Sequence, residues 1–240
     1  MLIYQKLKKT PARLLAVTSL TAGEFEHLLP AFKVAYDQKY PSEKTLEGKP
    51  RQRSVGGGAK GRLDSFEERL LFILVYQKTN PIQQIQGLQF GMSQSQAHYW
   101  IYRLLPVLQQ ALEDLGQKPE RDGSKVAAHQ LTSEGVPDLV IDGTERRRQR
   151  PKNNETQKEH YSGKQKAHTD KNLVLVNEQT TKVAYLSPTV PGKKHDKKMA
   201  DEARINYPAN AKLEKDTGFQ GYEPEGVITT QPKKSRRAKS

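Results

Sequence analysis

The chain has 240 residues, no cysteine, and 40 Lys+Arg against 27 Asp+Glu, for a formal charge of +13. That excess favours a polyanionic partner, nucleic acid first, and the lack of thiols excludes disulfides and thiolate metal sites, leaving carboxylates or histidines to hold any metal. No run reaches the ~18 apolar residues of a spanning helix and the first residues lack a signal peptide's apolar stretch, so a cytoplasmic protein without a membrane partner is expected.

Residues 18–40 read as a helix, because Thr21 and Glu24 form a capping box and Phe25, Leu28, Leu29, Phe32 and Tyr36 recur at helical spacing, with Pro30 a possible kink. Residues 41–63 lose periodicity and set Gly56, Gly57, Gly58 and Gly61 among Arg51, Arg53, Lys60 and Arg62. This reads as a basic linker, since GGGAKGR lacks the residue order of a phosphate-binding loop. Asp64 with Glu67 is expected to cap a helix carrying Phe66, Leu70, Leu71, Leu74 and Val75, which stops at Asn80–Pro81. A short helix over 81–88 carries Ile82, Ile85 and Leu88, and Gly91 can supply the positive φ of the following turn. Ser93 with Gln96 caps the next helix, whose stripe is Ala97, Trp100, Ile101, Leu104 and Leu105; Pro106 marks a kink or fresh start before Leu108, Leu112, Leu115 and the stop at Gly116.

After a polar connection at 117–134 the pattern turns to short apolar runs. Leu139–Ile141 reads as a buried strand ending in Asp142-Gly143, and Leu173–Val176 with Val183–Leu186 as a hairpin. Residues 195–206 read as a short helix and Lys212–Lys215 as a brief strand before Asp216-Thr217-Gly218. The fold class expected is α/β or α+β: an N-terminal helical segment followed by helices against a mixed sheet. Three segments follow, at 1–55, 56–117 and 135–240.

Helix 81–88, its glycine turn and helix 93–105 have the proportions of a helix-turn-helix, whose second helix enters the major groove. Its polar face offers Gln94, Gln96, His98, Tyr99 and Arg103. Glutamine can bond adenine bidentately, and arginine guanine or phosphate. A plain helical bundle with a solvated polar face has the same pattern.

Asp142 stands where an apolar strand meets a glycine, a rigid and accessible position for a metal ligand. Beside it lie Glu145, Arg146, Arg147, Arg148 and Arg150, and over 145–200 there are 14 Lys+Arg against 6 Asp+Glu, a concentration that phosphates would neutralise. Asp216 is the second candidate, since phosphodiester cleavage by divalent ions needs carboxylates converging from different strands; capping a turn is the competing role for both. His195-Asp196 is a third feature, with Asp196 read first as a helix cap.

Several segments together resemble bacterial insertion-sequence transposases of the DDE superfamily. They are Thr45-Leu46-Glu47-Gly48-Lys49-Pro50-Arg51, Phe90 to Ala97, Ile141-Asp142-Gly143-Thr144-Glu145-Arg146 with Gln149-Arg150-Pro151-Lys152, Tyr161-Ser162-Gly163-Lys164 with His168-Thr169, Pro191-Gly192 with His195-Asp196-Lys197, and Asp216-Thr217-Gly218-Phe219-Gln220-Gly221. The resemblance covers nearly the whole chain. It implies an RNase H-like endonuclease fold, Asp142 and Asp216 as catalytic metal ligands, Mg²⁺ or Mn²⁺ as cofactor, and double-stranded DNA at element ends and target as partner, in a possible homo-oligomer at the nucleoid. Gln94, Gln96, His98, Tyr99, Arg103, Arg146, Arg147, Arg148, Arg150 and Lys164 are then the expected DNA contacts, and Glu145, His195 and Asp196 accessory. The family's third acid, a glutamate on a later helix, has no counterpart: the acids after Asp216 are Glu223 and Glu225, in a turn-like stretch around Pro224. A transposase truncated before that helix, or the first frame of a two-frame element, is expected, with a non-catalytic DNA-binding remnant or regulator as the alternative.

Overall fold

The computed structural model describes residues 1–43, 48–50, 61–129 and 137–232, and the chain falls into two units, Met1–Gln117 and Lys118–Ser240. Most of the expected basic linker at 41–63, the end of the polar connection and the tail 233–240 lie outside the described residues.

The first unit is helical: α1 (Tyr4–Leu7), α2 (Pro11–Thr18), α3 (Ala22–Lys39), α4 (Phe66–Thr79), α5 (Gln83–Phe90) and α6 (Gln94–Asp114). Local chemistry starts the two long helices. Thr21 and Glu24 satisfy each other's backbone donors at the head of α3, as Ser93 and Gln96 do for α6, removing orphan N–H groups that otherwise cost about 1 kcal/mol. The α4 cap is Ser65, not the expected Asp64: its hydroxyl accepts from the Glu68 N–H at 3.2 Å. The Glu68 carboxylate accepts from the Tyr4 N–H instead. Helices α1 and α2 escaped the sequence reading because such short pieces are held by packing rather than propensity; Tyr4 stacks on Phe25 at 4.5 Å. The helices on both sides of residue 55 share one core, with Phe25, Phe32, Leu70, Phe72, Ile101 and Leu104 buried in it.

The fresh start expected at Pro106 is corrected: α6 is a single helix from Gln94 to Asp114, with Val107, Leu108 and Ala111 buried in the turns that follow the proline. In α5 the buried face is Gln86, Gly87 and Phe90, while Ile82, Ile85 and Leu88 are exposed. The helix is rotated by three tertiary contacts that its apolar pattern does not encode. Gln86 Nε2 donates to Phe72 O at 2.9 Å, Phe90 meets Phe72 edge-on, and a Cβ on Gly87 would stand 2.6 Å from Met92 O.

The second unit contains β1 (Asp138–Arg147), α7 (Asn154–His160), β2 (Tyr161–Ser162), β3 (Ala167–Asn177), β4 (Lys182–Leu186), β5 (Val190–Pro191), α8 (Asp196–Ala203), β6 (Lys212–Lys215) and β7 (Ile228–Thr230). Strand β3 pairs antiparallel with β1, β2, β4 and β5, whereas β6 runs parallel to β1 and β7 parallel to β6. This is the mixed sheet expected. Leu139, Ile141, Leu173, Leu175 and Leu213 meet Met199 and Ala200 of α8 in its core. The strand holding Asp142 does not end there, as expected, but continues to Arg147, because β3 goes on pairing with it as far as Thr169; only β6 leaves, after Ile141↔Lys215. The polar connection also contributes to the core, through a 3-10 turn at Gly123–Ala128 that buries Val126. Among the described residues no helix is long and apolar enough to cross a membrane.

Candidate functional site

Parallel pairing of β1 with β6 decides where the two candidate acids stand. Asp142 and Asp216 each directly follow the last paired position, Ile141↔Lys215, so their backbones stand at the same end of two parallel neighbours, Asp142 within β1 and Asp216 at the cap of the turn after β6. Alternation turns Asp142 away from the buried Ile141, and Asp216 away from the buried Lys215. Both carboxylates are exposed. Each spends one oxygen on a nearby glycine: Asp142 Oδ1 accepts from Gly143 N–H at 2.7 Å, and Asp216 Oδ1 from Gly218 N–H at 2.8 Å, capping a short 3-10 turn. Among the described residues no three His, Asp or Glu side chains gather closely enough to hold a metal ion. Mg²⁺ is commonly held by one or two carboxylates with waters and substrate phosphates completing its shell.

Beneath this pair lies a buried ionic cluster that sequence reasoning missed. Glu145 and Lys171 face each other across β1 and β3, with Lys171 Nζ 3.2 Å from Glu145 Oε1 and 3.0 Å from Asp196 Oδ1. The same ammonium donates to Lys194 O at 3.1 Å, and Thr169 Oγ1 donates to Glu145 Oε2 at 3.0 Å. Burial pushes the Glu145 carboxyl up, but bonds from Ser162, Lys171 and Thr169 and the lysine charge outweigh it and hold the group below the usual carboxylate range. Lys171 is the mirror case: burial lowers it, and the bonds and charges of Asp196 and Glu145 raise it above the ordinary lysine value.

Asp196 therefore does not act as the helix cap expected. It is the first residue of α8, after an N-cap His195 that is exposed and makes no side-chain capping bond. Its carboxylate wedges against two glycines instead. A Cβ on Gly143 would overlap Asp196 Oδ1, and one on Gly218 would stand 2.9 Å from both Asp196 Oδ2 and Asp216 Oδ1. The residues next to Asp142 and just past Asp216 thus rest on one carboxylate that Lys171 holds in place. The available signal was alternation: Lys171 shares the inward face of Leu173 and Leu175, an improbable place for an unpaired ammonium.

The basic residues divide by partner. Arg146 donates to Asn172 Oδ1 at 2.7 Å, Arg148 pairs with Asp170 at 2.9 Å beside His160, and Arg150 donates to Gln157 at 3.0 Å. Arg147 and Lys164 are exposed.

In the helical unit, α5, the turn at Gly91 and α6 form a helix-turn-helix in which Gln94, Gln96, His98 and Tyr99 are exposed at the start of α6. Gln96 commits its carbonyl to the Ser93 N–H, leaving its amide N–H groups to donate. His98 lies against Tyr102, ring centroids 4.5 Å apart and tilted by 46°, and meets Gln83. Arg103 is engaged inward: its guanidinium lies 3.6 Å from the Tyr40 ring centroid, and Nε donates to the Tyr36 hydroxyl.

Comparison with known proteins adds an independent line. Residues 61–114 match the family described as helix-turn-helix of DDE superfamily endonuclease, and residues 141–239 the family described as DDE superfamily endonuclease. The chain is 24% identical over 173 residues to the probable transposase for insertion sequence element IS702 of Microchaete diplosiphon, across 72% of this chain and 59% of that protein. It thus spans less than two thirds of that relative's length. No solved structure matches.

Proposed function

We propose that this chain, whose residues 61–114 and 141–239 match the helix-turn-helix and endonuclease families of the DDE superfamily, acts as an insertion-sequence transposase that binds duplex DNA at element ends and contributes Asp142 and Asp216 to divalent-metal-dependent strand cleavage and transfer. The observation carrying this reading is the register that puts both exposed acids one residue past Ile141↔Lys215. Mg²⁺ or Mn²⁺ bound there supplies Lewis-acid stabilisation of the charge that develops on the phosphodiester. The protein's own part is positional. Asp142 sits on a strand still held by β3, Asp216 is fixed by its turn, and the cation-rich segment 145–200 favours approach of a phosphate backbone.

Gln94, Gln96, His98 and Tyr99 are the proposed base and backbone contacts, and Arg103 is left out because the tyrosines hold it. Of the acids after Asp216, Glu223 pairs with Lys215 at 2.6 Å and also takes the Thr229 hydroxyl. A purely DNA-binding role is the second reading, favoured by the helix-turn-helix of α5 and α6 with its exposed polar face.

Two measurements decide between them. Mn²⁺ binding, read by electron paramagnetic resonance, should be lost in Asp142→Asn and in Asp216→Asn but kept in Glu223→Gln; equal binding by all variants would refute the two-carboxylate site. Selection from random duplexes should return a preferred sequence that Gln94→Ala with Gln96→Ala relaxes at little cost in general affinity. Equal loss on selected and random DNA would refute the recognition role.

A further inference from the structure

The end of the sheet unit that carries α7 holds a cavity of about 530 Å³ lined by Arg150, Gln157, Lys158, Tyr161, His168 and Lys193. Its chemistry is unlike the acidic pair. Three of the six lining residues are cations and none is an acid, and no ion pair is recorded for Arg150, Lys158 or Lys193 among the described residues. Arg150 is held by Gln157 Oε1 through Nε alone, so the far edge of its guanidinium remains available. Two aromatic rings lie between these charges. Tyr161 and His168 are directly paired across β2 and β3 and meet edge-to-face at 5.7 Å, with the tyrosine 47% exposed.

A half-exposed tyrosine on a two-residue strand buries little that would hold the fold together. A flat ring set among unpaired cations is the arrangement by which single-stranded nucleic acid is held, the phosphate on the charges and the base on the ring. We propose that this cavity binds one unpaired nucleotide of a DNA strand. Arg150, Lys158 and Lys193 take its phosphate, and the Tyr161 ring, braced by His168, takes its base. The inference rests on the DNA-binding reading above but adds a ligand state, an unstacked nucleotide, that duplex recognition does not need. A phosphate alone would use the cations and ignore the ring, and that difference makes the idea testable.

The experiment uses the whole chain and a fluorescein-labelled oligonucleotide, free or annealed to its complement, with anisotropy read over a salt series. Tyr161→Ala should weaken single-strand binding by roughly tenfold, within the range for losing one base–aromatic stack, and change duplex binding less than about twofold by the same reasoning. Tyr161→Phe should keep wild-type behaviour. Lys158→Ala with Lys193→Ala should flatten the single-strand salt dependence by up to about 0.7 in log–log slope, the share of the one phosphate the cavity holds. These two side chains are exposed, so this variant still tests the cavity if Tyr161→Ala fails to fold. Equal loss on both DNA forms, no loss on either, or displacement of the strand by micromolar inorganic phosphate would overturn the proposal. A wild-type chain that binds neither form would overturn the DNA-binding reading itself. Duplex binding without Tyr161 dependence on the single strand would remove only the cavity.

Discussion

Replacing Lys171 with methionine keeps the volume of the side chain and deletes its charge, leaving two carboxylates buried against each other. Lys171 and Glu145 are each 7% exposed and Asp196 18%, so little water reaches the pair that loses its cation. Removing one partner of such a buried arrangement costs about 3–5 kcal/mol, a large share of the roughly 5–15 kcal/mol that holds a domain. With a urea dependence of about 2 kcal/mol/M, the unfolding midpoint of the sheet unit should fall by about 1.5–2.5 M. The assay must resolve the two units. Trp100, the single tryptophan, lies in the helical unit and follows it by fluorescence, while hydrogen exchange of the β1 and β3 amides follows the sheet. Exchange should accelerate in the strands while the Trp100 transition stays in place. Adding Glu145→Gln should recover part of the loss, since the second change removes the charge the first left unpaired. A drop below about 1 kcal/mol in Lys171→Met, less than the cost of one unmet buried group, would show that the cluster does not support the acidic pair.

Two further outcomes test the same region. Gly192→Ala should cost about 1–3 kcal/mol by overpacking, because its Cβ would overlap the fully buried Thr169 hydroxyl and stand 2.8 Å from Thr169 O. Gly163→Ala, with nothing within 4 Å, should stay within about 0.5 kcal/mol in the same denaturant titration. Stability against pH carries the signature of the ion pair. Glu145 is held below its ordinary range, so its contribution is complete above the unfolded value of about 4.3 and is lost as pH falls through the folded one. Lys171 is held above its range, so its contribution is complete below about 10.4 and is lost as pH rises through the folded value. Chemical denaturation across pH should give a plateau between these limits with a fall on each side, and an alkaline fall unchanged in Lys171→Met would count against the assignment.

What could be read from the residues was set by the range of the interaction. The Thr21–Glu24 and Ser93–Gln96 boxes act three residues apart, and both were legible down to the bond. The hairpin of β3 and β4 followed from two apolar runs and a polar turn. The buried face of α5 was not legible, because an eight-residue helix does not choose its own: Phe72, Met92 and the small volume of Gly87 choose it. The acidic pair is the extreme case. Asp142 could be read as the end of an apolar run and Asp216 as the residue after a brief strand, but nothing local says that β1 and β6 lie side by side and parallel. Only the resemblance joined them, because a resemblance carries the outcome of packing without its causes. Lys171 shows what that leaves out. It falls outside every motif quoted for the family, yet it binds a carboxylate from the strand that carries Asp142 and another that abuts both site glycines. The alternation that turned it inward was present in the sequence. Its meaning depended on finding Glu145 opposite it, which only the pairing of β1 with β3 supplies.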